Sequence, residues 1–112
     1  MDDLESVELA KREQWNRLLN VYGELLTPIQ KATMEAYYEY DLSLSEIAEN
    51  HGTSRTAVLD LIAKGKKKLS KLEETLHILE KEEQIQKAFR DYQQEPTEEN
   101  LARLERSIYH GV

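Results

Sequence analysis

The chain contains no cysteine, which excludes disulfides and thiolate-held metals. Glycine and proline are also scarce, four and two in 112 residues, so little punctuation interrupts long helical stretches. No apolar run approaches the roughly 20 residues of a membrane span. The first residues carry Asp2, Asp3 and Glu5 rather than the basic start of a signal peptide, so a cytoplasmic protein without a membrane partner is expected. No glycine-rich loop speaks for nucleotide binding. His51, His77 and His110 are scattered, and no serine or carboxylate pair sits in a nucleophile setting; no catalytic residue is assigned and an enzyme is not expected. Glu73, His77 and Glu80 can share a helix face. Glu/His neighbours at such spacing are ordinarily solvated, so neither a metal nor another cofactor is expected.

What is present begins with residues 43–69, which read as a helix-turn-helix followed by a basic cluster. Ser43 with Glu46 three residues on is a capping box that starts the first helix. Ile47 and small Ala48 face inward, and Gly52 supplies a turn where positive φ costs little. Ser54 caps the second helix, whose inward stripe is Val58, Leu61 and Ile62. His51 and Thr53 stand at turn positions that are more often apolar, which predicts a loosely packed turn.

Charge is unevenly placed. The net charge is −7 from 15 basic and 22 acidic residues. Residues 1–52 hold 4 basic and 11 acidic, 53–72 hold 6 and 1, and 73–112 hold 5 and 10. The central cations are Arg55, Lys64, Lys66, Lys67, Lys68 and Lys71. Exposed charges are screened beyond about 8 Å at physiological salt, so this local excess can govern close contact with an anionic polymer despite the acidic remainder. A solvated lysine run at the end of a helix is the plainer reading of the same residues.

Around the motif the periodicity is helical throughout and the class is all-α. A first helix is expected from Ser6 to Tyr22, with Trp15, Leu18, Leu19 and Tyr22 on one face and Gly23 ending it. Thr27 as cap, Pro28 at the first helical position and Gln30 completing the box start a second, which carries Ile29, Met34, Tyr37 and Tyr38 and stops near Asp41. The second motif helix meets no stop signal and is expected to continue through Leu69, Leu72, Leu76 and Leu79, whose 3-4-3 spacing is that of a coiled-coil seam. After Glu83 the stripe shifts to Ile78, Ile85, Phe89 and Tyr92. Gln93–Pro96 reads as a loop, and Thr97 caps a short final helix with Leu101, Leu104 and Ile108 inward. With too little chain for two independent cores, residues 1–82 are expected to form the helix-turn-helix domain with the long helix leaving it. Residues 83–112 form a helical extension that packs either on that domain or on a homodimer partner. The tyrosines could stack on bases, but those near Met34 and Trp15 fit a core better.

The stretch Leu26-Thr-Pro-x-Gln30-x-x-x-Met34-x-x-Tyr37-Tyr38-x-x-Asp41-x-Ser43-Leu44-x-Glu46-Ile47-Ala48, followed by Ser54-Arg55-x-Ala57-Val58-x-Asp60-x-Ile62, resembles the YlxM family of small bacterial proteins. The resemblance covers about residues 15–82. It implies an all-helical fold with a helix-turn-helix like region 4 of sigma factors. Genes of this family typically lie beside those for the signal recognition particle protein and its receptor, which implies a regulatory part in protein targeting. In the more distant likeness to sigma region 4, Arg55 matches the arginine that opens the recognition helix, and the base-reading positions after it are Thr56, Leu59 and Asp60. Only Arg55 is a good guanine reader; Leu59 offers at most a thymine methyl contact, and Asp60 accepts from cytosine but repels phosphate.

The expected interface is therefore Ser54, Arg55, Thr56, Leu59, Lys64, Lys66, Lys67 and Lys68, with Leu69, Leu72, Leu76 and Leu79 as candidates for a dimer seam. The expected partner is nucleic acid, duplex DNA first and particle RNA second. The alternative is an adaptor that touches the signal recognition particle protein or its receptor without binding DNA.

Overall fold

A computed structural model describes residues 3–109; Asp2 and His110, noted above, lie outside the described residues. Among those described there are six α-helices and no strand. They are α1 (Asp3–Tyr22), α2 (Pro28–Tyr38), α3 (Leu44–His51), α4 (Arg55–Leu76), α5 (Ile78–Gln94) and α6 (Glu98–Tyr109), with a 3-10 turn at Gly23–Leu25 after α1. The chain divides after Thr75 into two compact units. That division falls earlier than the 82/83 junction expected from the stripe shift.

In the first unit α1 starts at Asp3, three residues ahead of the expected Ser6, while the starts of α2, α3 and α4 are built as the sequence predicts. Thr27 Oγ1 accepts from Gln30 N at 3.2 Å while Gln30 Oε1 accepts from Thr27 N at 3.1 Å. Each bond satisfies an amide that the helix itself leaves without a partner. α2 stops at Tyr38 because Asp41 turns left-handed (φ 58) and Leu42 N donates back to Ala36 O at 3.0 Å. α1 then caps this end from outside. Arg12 donates to Tyr37 O at 2.6 Å and Asn16 to Tyr38 O at 2.9 Å. Arg12 also pairs with Asp41 at 3.3 Å and lies over the rings of Tyr37 and Tyr38.

The core of this unit gathers Leu18, Leu19 and Tyr22 from α1, Leu26, Met34 and Tyr38 around α2, Ile47 and Ala48 from α3, and Val58, Ile62 and Leu69 from α4. α4 comes close to α2 at Gly65, where a Cβ would stand 3.0 Å from both Cγ and Sδ of fully buried Met34. Ile29 is 47% exposed. It lies in the first turn of α2, ahead of the buried pair Thr33 and Met34. The Tyr22 hydroxyl bonds Glu73 Oε1 at 2.5 Å, tying the end of α1 to the last turns of α4.

The expected continuous leucine stripe does not form. α4 ends at Leu76, His77 adopts φ 54 and ψ 29, and α5 starts at Ile78. Leu69 and Leu79 are buried, Leu72 is half-buried and Leu76 is exposed, so the four do not form one outward seam. Histidine is not the glycine or asparagine that usually occupies a left-handed helix end, so no stop was legible. The His77 ring instead bonds Glu80 one turn into α5 at 3.0 Å.

The second unit is a hairpin of α5 and α6. Thr97 Oγ1 caps α6 by accepting from Asn100 N at 3.1 Å, as expected. Asn100 reaches back to the carbonyls of Asp91 and Glu95, and Arg103 pairs with Asp91 at 3.7 Å. Few apolar groups are covered here. Leu79 and Ala88 are buried, and α6 buries no residue.

Candidate nucleic-acid interface

The motif is assembled from caps and one left-handed glycine. Ser43 Oγ accepts from Glu46 N and Glu46 Oε1 accepts from Ser43 N, both at 3.1 Å. The Ser43 backbone N–H first, and its hydroxyl second, hold the Glu46 carboxyl below its ordinary 4.5. Gly52 has φ 64 and ψ 39, and its N–H donates to the carbonyls of Ala48 and Glu49. Thr53 N closes the same end by donating to Ala48 O at 2.9 Å. The turn predicted to pack loosely is thus held by its backbone, with His51 and Thr53 exposed above it. Ser54 Oγ then accepts from Ala57 N at 3.1 Å and starts α4.

α4 turns Val58, Ile62, Gly65 and Leu69 inward. Arg55, Thr56, Leu59 and Asp60 are exposed, Leu59 at 50%. At about 100° per residue, Lys64, Lys67, Lys68 and Lys71 share a sector about 100° wide on the outward side, running about 10 Å along the axis. All four are exposed. Lys64 pairs with Asp60 one turn back at 3.0 Å, which shields the one carboxylate on the face. Arg55, Lys67, Lys68 and Lys71 form no ion pair among the described residues.

Lys66 stands apart from its neighbours. It is half-buried, with Nζ 5.1 Å from the centroid of the Trp15 ring, in a small recess that also includes Glu8, Lys11, Arg12, Tyr37 and Tyr38. Its spacing, four after Ile62 and three before Leu69, places it on the inward edge of α4. That signal was present in the sequence and was hidden by grouping Lys66 with the lysines beside it. Gly65 was legible only as an unexplained glycine within a helical pattern.

Among the described residues no group of three or more histidine and carboxylate side chains is placed to hold a metal, and no helix is long and apolar enough to cross a membrane.

These features define an all-α helix-turn-helix protein. Residues 9–107 match the family profile UPF0122, described as "Putative helix-turn-helix protein, YlxM / p13 like", and the chain belongs to that family. The match reaches past the 15–82 stretch into α6. Similar curated proteins include the UPF0122 protein of Mycoplasma capricolum, 48% identical over 75 residues that span 67% of this chain and 66% of the relative. The UPF0122 protein of Fusobacterium nucleatum is 38% identical over 100 residues, covering 89% of this chain and 91% of its own length. That of Listeria welshimeri is 41% identical over 91 residues, 81% and 83% of the two chains. The family is described by its helix-turn-helix and not as an enzyme family.

Proposed function

We propose that this chain is a non-enzymatic, cytoplasmic nucleic-acid-binding protein that engages duplex DNA through the outward face of α4. The observation that carries this reading is the set of four exposed cations without an ion pair among the described residues, Arg55, Lys67, Lys68 and Lys71, on the second motif helix of an otherwise acidic chain. Arg55 at the first turn is placed to read a guanine edge, and Thr56 and Leu59 are tolerant neighbours. Asp60, tied to Lys64, contributes little reading of its own. One good bidentate contact discriminates by about 1–3 kcal/mol, against roughly 4–10 for a sequence-specific regulator, so phosphate contacts dominate affinity. The sigma region 4 likeness of the motif supports the same docking, with the start of α4 in the major groove.

Three phosphate contacts, from Lys67, Lys68 and Lys71, give a log-log salt slope of about −2.7. Fluorescence anisotropy on a labelled duplex over a salt series tests this. The Lys67→Glu, Lys68→Glu, Lys71→Glu triple variant is expected to abolish binding; unchanged affinity would overturn the reading.

A second reading is an adaptor that contacts the signal recognition particle protein, its receptor or its RNA. Leu59, half-exposed in the middle of the reading face, favours it, since an apolar side chain there suits protein better than phosphate. A-form RNA hides its major groove, so RNA contact would run through phosphates or loops. Pull-down with purified particle protein, receptor and RNA tests it, and no enrichment over a scrambled control would count against it.

A further inference from the structure

The α5–α6 hairpin leaves one side uncovered. Its two helices meet through Ala88 and Asp91 on α5 and Asn100, Arg103 and Ser107 on α6, joined by a short loop, so they run antiparallel. On each helix the apolar series lies about a quarter turn beyond this contact in the same rotational sense, which in antiparallel helices places both on one side. The result is a single face of Ile85, Phe89 and Tyr92 with Leu101, Leu104 and Ile108. Phe89 is 48% exposed, Leu101 39% and Ile108 50%. The final-helix leucines expected inward are therefore directed to a surface.

We propose that this face is a docking groove for an amphipathic helix of another protein whose apolar stripe is flanked by lysine or arginine. Charge favours that occupant. Glu82 borders the groove on the α5 side and Glu98 and Glu105 border it on the α6 side, all exposed, with Lys81 the one cation beside it. Residues 76–112 carry 8 acidic and 5 basic side chains. A second copy of this chain would bring acidic rims against acidic rims. Size points the same way. Three half-exposed side chains with their partly covered neighbours make a patch on the order of 300 Å², the size of the largest apolar patch on an ordinary monomer, which is often functional. A stable dimer needs about 800 Å² from each partner. A helix laid into a groove uses few anchors at spacings of three and four, which this face matches.

The test uses the full-length protein and a labelled 18-residue helical peptide with leucines on one face and lysines flanking them. The peptide is expected to bind, and to bind at least tenfold more weakly once its leucines are replaced by glutamine with every lysine retained. Phe89→Asp and Ile108→Asp are each expected to weaken binding at least tenfold. Each adds a negative charge, so an attraction of charge alone would instead tighten. The Glu98→Lys, Glu105→Lys double variant is expected to weaken binding as well, while the triple lysine variant of α4 leaves it unchanged. Circular dichroism on each variant confirms that helicity is retained, as expected for half-exposed positions. Peptide affinity indifferent to both Phe89→Asp and Ile108→Asp would overturn the proposal. So would light scattering that shows a dimer dissociated by Phe89→Asp, which would assign the face to a second copy.

Discussion

The two units treat similar amphipathic helices in opposite ways. In the first, four helices and a turn bring eleven apolar side chains to low exposure, and the last carbonyls of α2 find donors on α1. In the hairpin, α5 and α6 are just as clearly two-sided, yet Leu79 and Ala88 are the buried apolar residues. Two antiparallel helices share one narrow contact line, and an apolar stripe of ordinary width overhangs it. A helix pair therefore leaves apolar surface uncovered even when its pattern is well formed, whereas a third and fourth helix close it over. Hydrophobic pattern alone says that a stripe exists, not that the same chain covers it.

The sharpest way to break this contrast is to truncate one side chain in each unit. Met34→Ala removes a fully buried group and is expected to cost about 3 kcal/mol in urea unfolding, while Ile108→Ala stays within about 0.5. Equal costs would mean that the hairpin face is covered. Gly65→Val drives a branched side chain into Met34 and is expected to cost about 2 kcal/mol, read in the same way. Ser43→Ala removes one half of the α3 box at a cost of about 1 kcal/mol. The other half of the box depends on pH. The Glu46 carboxyl is depressed in the fold, first by the Ser43 backbone N–H, so its contribution is present above the ordinary 4.5 and fades as pH falls through the lowered folded value. A Glu46→Ala variant and the parent should therefore draw closer in acid, seen by thermal melts across pH, whereas the Ser43→Ala cost persists. Thr33 is fully buried and its hydroxyl has no partner among the described residues, so Thr33→Val is expected to stabilise by about 1 kcal/mol. Smallest of all, Lys66→Ala should leave the salt slope of DNA binding unchanged, whereas Lys67→Ala should reduce its steepness by about 0.9.

Much of the fold was legible because its signals are local. Thr27, Pro28 and Gln30, Ser43 and Glu46, Gly52, Ser54 and Thr97 each act within three or four residues, and the structure builds each as the spacing predicts. The site was legible in part. Arg55, Thr56, Leu59 and Asp60 are exposed on the first turns of α4, and Lys67 and Lys68 are outward with Lys71 beside them. Lys64 is outward but engaged with Asp60, and Lys66 turns to Trp15, 51 positions away in sequence. Charge counted along the chain does not distinguish a lysine facing solvent from one lying on an aromatic ring. The helix break was not legible either. His77 takes a left-handed conformation that its residue type does not announce, and with it the leucine series from Leu69 to Leu79 divides between two helices.

By itself, then, the amino-acid sequence determined the all-α class, the starts of α2, α3, α4 and α6, the left-handed turn of the motif and the family. These rest on bonds between residues a few positions apart and on periods of three and four, which survive without knowledge of the rest of the chain. Tertiary structure alone decided which lysines face outward, why Gly65 is a glycine, where α4 ends and that the apolar side of the hairpin lies open. Each of those depends on what stands opposite a side chain in space, and the spacing of residues along one helix carries no record of its neighbour.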